Sequence, residues 1–322
     1  NGTSSGENQR LTGLDGADQA GRWKPERTVH HRCHFRSHDR RDSEMSFFSS
    51  DKGKMKKRQP AVAGRFYPED REALILEVEA HIERNAVKSP VLGIVAPHAG
   101  FKYSGDVAGA VYSRIEIPDT VVLIGPNHTG RGEKVAVMTE GIWTMPMGDI
   151  AIDEELANAI CEETVMAKPD SSAHRFEHSL ETQLPFLQYF KKEFKIVPIC
   201  LQRLQVSTCK TLSEGIMRAI NRLGRPVLLV ASSDMTHYES HDKARALDRK
   251  AIDCIKNRDP IDLHETVRSE KITMCGVNPV TVMLHCSESL GAKEAELVKY
   301  MTSGEVNGDK EKVVGYAGMI IK

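Results

Sequence analysis

The sequence has almost no net charge, with 44 lysines and arginines against 45 aspartates and glutamates in 322 residues. Such a balance gives no strongly basic surface of the kind that attracts nucleic acid or an anionic membrane. Long apolar runs are also missing: the longest, such as Val227–Ala231, have the length of a strand, whereas a helix that crosses a bilayer needs about 20 apolar residues. We therefore expect neither nucleic acid nor a membrane as a partner.

The motifs of two large enzyme classes are absent as well. There is no P-loop, no G-x-G-x-x-G after a predicted strand and no G-x-S-x-G, so nucleotide binding and serine hydrolysis have no support. The seven cysteines are odd in number and lack the spacing of a disulfide framework. No apolar segment typical of a secretory signal lies near the N-terminus. Free thiols without a signal indicate a reducing compartment, and we expect a cytoplasmic protein.

The first part of the chain differs in composition from the rest. Residues 1–54 are rich in Gly, Ser, Arg, Asp and His and have little apolar periodicity, which predicts a disordered or non-native extension. We interpret the stretch HHRCHFRSH (30–38) as a chance grouping of metal-ligand residue types in that extension. The pattern becomes regular afterwards, and we predict one domain over residues 56–322.

Strand and helix patterns alternate through this domain. Continuously apolar strands covered on both faces are typical of parallel sheets, so the sequence predicts a single compact α/β domain with a mostly parallel sheet flanked by helices. Ser104 and Asp153 are expected to cap two helices, and Gly224 to end a third. The predicted strands are 91–97, 120–126, 134–140, 194–200, 226–234, 296–304 and 313–322. The predicted helices are 69–86, 104–115, 152–163, 177–190, 207–223, 242–258 and 279–290.

Polar residues follow three of the buried strands. VLGIVAP (91–97) leads to His98, VVLIGP (121–126) leads to His128, and VLLVASSD (227–234) ends in Asp234 and is followed by His237. A single histidine at such a position is typical of an ordinary loop. Parallel strands, however, bring their carboxyl ends to one edge of a sheet, where ligands bind in α/β folds. We therefore predict that these four residues surround one pocket.

A further histidine segment reads HRFEHSLE (174–181). If it is helical, His178 and Glu181 lie at i, i+3, and His174 and His178 lie at i, i+4. Such spacing can bind a metal or orient a ligand, and it is equally typical of a solvated helix face. We expect His178 and Glu181 to approach the predicted pocket.

Cys275 lies in KITMCGVNP, just before an apolar helical pattern. A thiol near a helix N-terminus has a lowered pKa and is a better ligand or nucleophile, although a buried inert cysteine is the usual alternative. Imidazoles with one thiolate suit Zn, Cu or Fe(II) and do not suit Mg or Ca. Asp234 and His237 would then orient ligands or transfer protons.

Seven ordered motifs resemble the Memo family, which in prokaryotes is known as AmmeMemoRadiSam system protein B. They are AVAGRFYP (61–68), APHAGFKYSG (96–105), GPNHTG (125–130), EHSLETQLPF (177–186), IVPI (196–199), SSDMTHY (232–238) and CGVNP (275–279). The resemblance implies a fold like the catalytic subunit of class III extradiol dioxygenases.

The resemblance also implies roles for particular residues. The metal ligands fall on His98, His128 and Cys275, and neighbouring pocket residues fall on Asp234 and His237. His178 and Glu181 match the EHS-x-E stretch of the family. If Cys275 is a packing residue instead, Asp234 or Glu181 becomes the expected third ligand.

Three functions are compatible with these residues. The first is a metal-dependent redox protein using Fe or Cu, with Zn as a further option. The second is an extradiol-dioxygenase-like enzyme on an unknown small substrate, with His237 as general acid or base and Asp234, His178 and Glu181 as further catalytic candidates. The third is a module that binds a peptide without catalysis. Through the resemblance, radical SAM proteins and Ammecr-type proteins are expected as partners.

Overall fold

A computed structural model describes residues 56–322 of the chain. The predicted extension over residues 1–54, with its histidine group at 30–38, lies outside the described residues. The strands in the described part are β1 Lys57–Arg58, β2 Gly93–Ala96, β3 Thr120–Pro126, β4 Val135–Val137, β5 Ile142–Trp143, β6 Ile150–Ile152, β7 Lys168–Pro169, β8 Lys195–Leu201, β9 Leu228–Ser232, β10 His237–Glu239, β11 Ala295–Thr302 and β12 Val313–Ile321. The helices there are α1 Arg71–His81, α2 Phe101–Tyr112, α3 Glu154–Glu163, α4 Leu184–Phe190, α5 Val206–Leu223, α6 His241–Lys256, α7 Pro260–Ser269, α8 Val277–Ser289 and α9 Gly304–Asn307.

The centre of the sheet is parallel. Strands β6, β8, β3, β9 and β2 lie side by side in that order and run in the same direction. β12 is antiparallel to β2, and both β10 and β11 pair antiparallel with β12. Every residue of β2, β3 and β9 is buried, because helices such as α2 and α8 pack on the sheet. The predicted α/β domain with a mostly parallel sheet is confirmed.

Two of the predicted helix ends are confirmed and one is wrong. The Asp153 side chain accepts a hydrogen bond from the N–H of Leu156 at 3.2 Å and caps α3, and Gly224 ends α5 with φ of 63°. Ser104 does not cap α2, because the helix already begins at Phe101. The Ser104 hydroxyl instead donates to the carbonyl of Ala99 at 3.0 Å.

The predicted helix over 177–190 is wrong in its first part. Residues 177 and 178 are irregular, and residues 179 and 180 form a turn that the His178 carbonyl closes by accepting from the N–H of Thr182 at 3.1 Å. A single 3₁₀ turn covers Glu181–Gln183, and α4 follows from Leu184. His178 and Glu181 therefore do not share a helical face. The helix predicted over 69–86 is shorter than expected, since α1 ends at His81. α7, which Asp259 caps through the N–H groups of the first turn, was not predicted.

The thiols and the helix lengths bear on two further expectations. The six cysteines of residues 56–322 are all free, in agreement with the absence of a disulfide framework. Within the same residues, none of the helices combines the length and the apolar character that spanning a membrane requires.

Candidate metal centre

Three neighbouring strands end at the same edge of the sheet. β9 pairs in parallel with β2 on one side and with β3 on the other. The chain continues from β2 into His98, from β3 into His128 and from β9 into Asp234. The sheet topology therefore delivers three polar side chains to one place, as the strand-end argument predicts.

A third imidazole joins the first two from the turn before the 3₁₀ helix. The ring nitrogens that His98, His128 and His178 can offer to a metal lie within 4.8 Å of one another. The rings of His128 and His178 are stacked with centroids 4.8 Å apart, and the ring of His98 meets both at 5.1 and 5.5 Å. Three ring nitrogens grouped this closely can hold one metal ion, to which each imidazole would bind at about 2.0–2.1 Å. We call these three residues the histidine cluster.

Glu177 contacts two members of the histidine cluster and orients them. Our sequence analysis gave this residue no role. Its carboxylate accepts the backbone N–H of His128 at 2.6 Å and that of His178 at 2.9 Å. It also accepts the N–H of Ser179 at 2.9 Å and contacts Nδ1 of His128 at 2.9 Å. A carboxylate beside Nδ1 keeps the proton there, so Nε2 of His128 carries the lone pair that a metal needs.

A chain of hydrogen bonds fixes the tautomer of His98 in the same way. The Ser232 hydroxyl donates to the carbonyl of Ser179 at 2.7 Å, so it can only accept from Nδ1 of His98 at 2.8 Å. Gln183 donates to the same hydroxyl oxygen at 3.1 Å and accepts from the Tyr112 hydroxyl at 3.0 Å. Nδ1 of His98 is therefore the protonated nitrogen, and Nε2 carries the lone pair that a metal needs.

Cys275 reaches the histidine cluster through His98. Its sulfur lies 3.3 Å from Nε2 of His98 and accepts the backbone N–H of Asp234 at 3.3 Å. The next residue must be glycine, because a Cβ at Gly276 would collide with the carbonyl oxygen of Ser232. The loop can thus press against the end of β9 and bring the thiol to the ring.

The predicted lowering of the thiol pKa is wrong. Burial, together with the charge of Asp234, raises the pKa of Cys275 well above its ordinary value. α8 begins two residues after the thiol, at Val277, and desolvation outweighs any effect of that helix end. The thiol is therefore protonated in the metal-free protein.

Asp234 and His237 follow β9 and lie near His98. Asp234 is buried and accepts the backbone N–H of His98 at 2.8 Å, and burial raises the pKa of its carboxyl group. His237 donates its backbone N–H to the Thr273 hydroxyl at 2.7 Å, and its Nδ1 lies 3.0 Å from the Thr273 carbonyl. These contacts tie His237 to the loop before α8, and within residues 56–322 its Nε2 makes no hydrogen bond.

Glu181 has different neighbours from those we expected. It is fully buried and forms an ion pair with Arg58. It also accepts the N–H groups of Ala61 and Val62 at 2.7 and 3.0 Å, and the Tyr67 hydroxyl at 2.6 Å. The structure thus places its carboxylate among residues 58–67, which it fastens to the domain, and not among the imidazoles.

His174 is also separate from the histidine cluster. It is buried, and its Nδ1 lies 3.3 Å from the sulfur of Cys200. Burial, with the charge of Arg58 beside it, lowers the pKa of His174 to about 4. The predicted pairing of His174 with His178 on one helical face therefore does not occur.

Electrostatics keeps most of the histidine cluster neutral. Burial lowers the pKa of His98 well below its ordinary value, and burial also lowers that of His178. Burial acts the same way on His128, but the hydrogen bond and charge of Glu177 outweigh it and raise the pKa of that ring. Burial would raise the pKa of Glu177, yet its bond to His128 and the neighbouring imidazoles hold it at about 2.

These residues fit a borderline transition metal. Neutral imidazoles whose Nδ1 atoms are held by a carboxylate or a hydroxyl are the usual ligands of Zn, Cu and Fe. Oxygen-rich sites for Mg or Ca have no counterpart in this cluster. The thiol of Cys275 lies beside one of the ligand nitrogens and is the nearest candidate for a further ligand.

Comparison with known proteins identifies the family of the chain. A family model described as Memo-like protein matches residues 58–320. The chain is similar to a MEMO1 family protein of Methanopyrus kandleri, with 41% identity over 279 residues, 82% of this chain and 99% of the relative. A MEMO1 family protein of Methanosarcina mazei is 43% identical over 270 residues, 83% of this chain and 100% of the relative.

Among solved structures, the chain is similar to the uncharacterized protein JW3007 from Escherichia coli K12. The TM-score is 0.51 at 12% identity, covering 71% of this chain and 99% of the other, and this likeness concerns the fold alone. The predicted resemblance is confirmed, and with it the dioxygenase-like fold that the family implies. From the family model over residues 58–320 and from relatives above 40% identity, the chain belongs to the Memo family.

Proposed function

We propose that the protein is a metal-dependent redox protein whose ion, Fe or Cu, is held by His98, His128 and His178. One observation carries the proposal: three imidazole nitrogens lie within 4.8 Å of one another at the carboxyl edge of the sheet. Neutral imidazoles favour Fe(II) and Cu over harder ions. Cys275, which the family resemblance implies as a ligand, joins the set through its contact with His98.

The residues around the cluster have separable tasks in this proposal. Glu177 and Ser232 hold Nδ1 of His128 and of His98, so that Nε2 is the nitrogen left for a metal. Cys275 would have to release its proton to become a ligand, and Nε2 of His237 would be the candidate to accept a proton. Asp234, fixed on the backbone of His98, adds negative charge beside the site. An Fe or Cu ion would supply one-electron chemistry and Lewis acidity.

A second candidate function is a dioxygenase-like enzyme acting on a small substrate. A cavity of about 530 Å³ adjoins His128 and Cys275, a volume typical of small-molecule sites. In this reading, His237 is the general acid or base. Oxygen consumption in the presence of a substrate distinguishes this enzyme from a redox protein that only exchanges electrons.

Partners and location remain part of the proposal. The family resemblance supports radical SAM and Ammecr-type proteins as partners in prokaryotes. The free thiols support a cytoplasmic setting. Co-purification of the protein from its own cells tests the partners directly.

Metal analysis of anaerobically purified protein tests the central claim. We expect about one Fe or Cu per chain, and loss of most of it in each of His98→Asn, His128→Asn and His178→Asn. His264→Asn is the matched control, since His264 lines the cavity but lies outside the histidine cluster. Unchanged metal content in all three cluster variants would contradict the proposal.

A further inference from the structure

A cavity of about 530 Å³ opens beside the histidine cluster. Its walls come from the end of β3, the loop after β8, the C-terminal end of α7 and the loop that leads into α8. It reaches the histidine cluster at His128, and it also contacts Cys275. A ligand in the cavity therefore has one end at His128 and Cys275 and the other among residues, such as Arg268 and Lys271, to which neither candidate function assigns a role.

The charges on the cavity wall are all of one sign. Arg203, Arg268 and Lys271 line it, and among residues 56–322 no aspartate or glutamate does. Among the ion pairs of residues 56–322, none includes these three cations, and nearby Glu270 is held by Lys250 at 2.8 Å instead. Three cations without acidic partners beside a cavity favour an anionic occupant.

About half of the remaining lining residues are apolar. Buried side chains of Val267, Ile272 and Met274 line the cavity, and Leu201 and Pro279 continue the surface. An apolar wall does not suit a bare inorganic anion, which stays better hydrated in water. The combination favours a ligand with an apolar body and one anionic group.

Lys271 occupies a backbone position where glycine is usual. It follows the end of α7 with φ of 55°, and the N–H of the next residue, Ile272, bonds to the carbonyl of Val267 at 2.9 Å. The left-handed conformation is unfavourable for a residue with a Cβ, and glycine fills most such positions. Lysine at this position places a cation in the cavity wall and costs backbone strain. Backbone strain of this kind is typical of functional positions.

We propose that this cavity binds a small organic carboxylate, whose anionic group is held by Arg268, Lys271 and Arg203. The apolar body of the ligand lies against Ile272 and Met274, and its other end faces His128 and Cys275. The inference rests on the proposed function for what happens at that second end, and on the cavity alone for the binding of the anion.

Binding of benzoate against its neutral isostere benzamide tests the inference. Ligand-observed NMR titrations on the full chain, depleted of metal by a chelator, measure both affinities. We expect benzoate to bind at least about tenfold more tightly than benzamide. Equal affinities, or no binding of benzoate, would overturn the inference. Phenyl phosphate forms a third arm, and binding more than about tenfold tighter than benzoate would replace the carboxylate by a phosphate ester and overturn the stated class.

Variants locate the anion. Lys271→Gly and Arg268→Gln should each weaken benzoate about three- to tenfold and leave benzamide unchanged. Glycine suits the left-handed backbone, so Lys271→Gly should melt no lower than the parent chain, and its loss of affinity cannot be attributed to unfolding. Lys256→Gln is the matched control: this exposed lysine of α6 is not part of the cavity wall and should change nothing. Unchanged benzoate affinity in both cavity variants would overturn the assignment.

The two proposals fail separately. Preference for benzoate that persists in His98→Asn, together with unchanged metal content in the cluster variants, contradicts only the proposed function. Normal metal binding without preference for benzoate contradicts only the organic-anion site.

Discussion

Two buried carboxylates four residues apart, Glu177 and Glu181, have different partners and different roles. Glu177 accepts bonds from the backbone and ring of residues in the histidine cluster. Glu181 is paired with the permanent cation of Arg58 and with backbone N–H groups of residues 61 and 62. Identical chemistry thus orients a ligand site in one case and fastens a chain segment in the other. What differs is the partner: an imidazole can donate a lone pair to a metal ion, and a guanidinium cannot.

Removing the charge of Glu181 should produce the largest loss of stability. Glu181→Gln leaves Arg58 buried without its counter-ion, and breaking such a pair typically costs about 3–5 kcal/mol. Urea unfolding of the metal-free protein measures the loss. Glu140→Gln is the control, because its pair with Lys56 is exposed and should contribute less than about 1 kcal/mol. Similar losses in both variants would show that the buried pair has no special role.

The same substitution at Glu177 should act mainly on metal binding. Glu177→Gln retains a carbonyl oxygen for the backbone N–H groups but removes the charge that orients His128. We expect metal affinity to fall about 10–100-fold, as is usual when the hydrogen-bond partner of a ligand imidazole is changed. Competition with a chelator of known affinity measures it. If Glu181→Gln lowered metal affinity more than Glu177→Gln in folded protein, the division of roles would be wrong.

Cys275 provides a sharper test of which atoms complete the site. If the thiol is a ligand, Cys275→Ser should lower Cu(I) or Fe(II) affinity about tenfold or more with little change in unfolding free energy. Because the thiol pKa is raised, binding should also release a proton and weaken as the pH falls. Cys286→Ser is the control, since Cys286 is buried on α8 and bonds to the Ser213 carbonyl. Full metal occupancy in an unfolding-prone Cys275→Ser would instead make this thiol a packing residue.

The pH dependence of stability should show the smallest effect. The lowered pKa values of His98 and His178 mean that the unfolded chain binds more protons between those values and 6.5. Their contribution to stability is therefore complete above pH 6.5 and declines as the pH falls below it. His128 has a raised pKa, so its contribution is complete below 6.5 and is lost as the pH rises through the folded value.

Two variants separate the acid-side and the alkaline-side decline in stability of the metal-free protein. His98→Asn should flatten the decline on the acid side, and Glu177→Gln should flatten the decline on the alkaline side. Differences in unfolding free energy between parent and variant, measured from pH 5 to pH 8, isolate each group from the remaining histidines. A variant curve that stays parallel to the parent curve would contradict the assigned shift.

The sequence predicted the parts of the site that depend on topology. His98, His128 and Asp234 follow buried parallel strands, and parallel pairing alone brings strand ends together. His178 was expected near the pocket from helical spacing, although the structure places it on a turn. Its approach depends instead on the bonds that Glu177 makes across the fold. Those bonds join residues far apart in the chain, so no local pattern could indicate them.

Other errors have equally physical causes. The partner of Glu181 lies 123 residues away, and spacing within its own segment suggested a catalytic face instead. The pKa of Cys275 was misjudged because its burial is a property of the packed loop and not of the adjacent helix. α7 was missed because only Pro260, Leu263 and Val267 of its ten residues are buried, which leaves a weak apolar pattern. The central strands β2, β3 and β9 were easier to predict, since they are almost continuously apolar and fully buried.

The Arg58–Glu181 pair sets a limit on how far the chain can be shortened from its N-terminal side. Arg58 also donates to the carbonyls of His174 and Glu177 at 3.1 and 2.5 Å, so it braces the turn that carries His178. A chain trimmed to begin at residue 58 keeps Arg58 and these contacts. A chain that begins at residue 60 lacks Arg58 and leaves the buried carboxylate of Glu181 without its counter-ion. The shorter chain would lose the hydrogen bonds that hold the turn carrying His178, even though its sequence would still contain every proposed metal ligand.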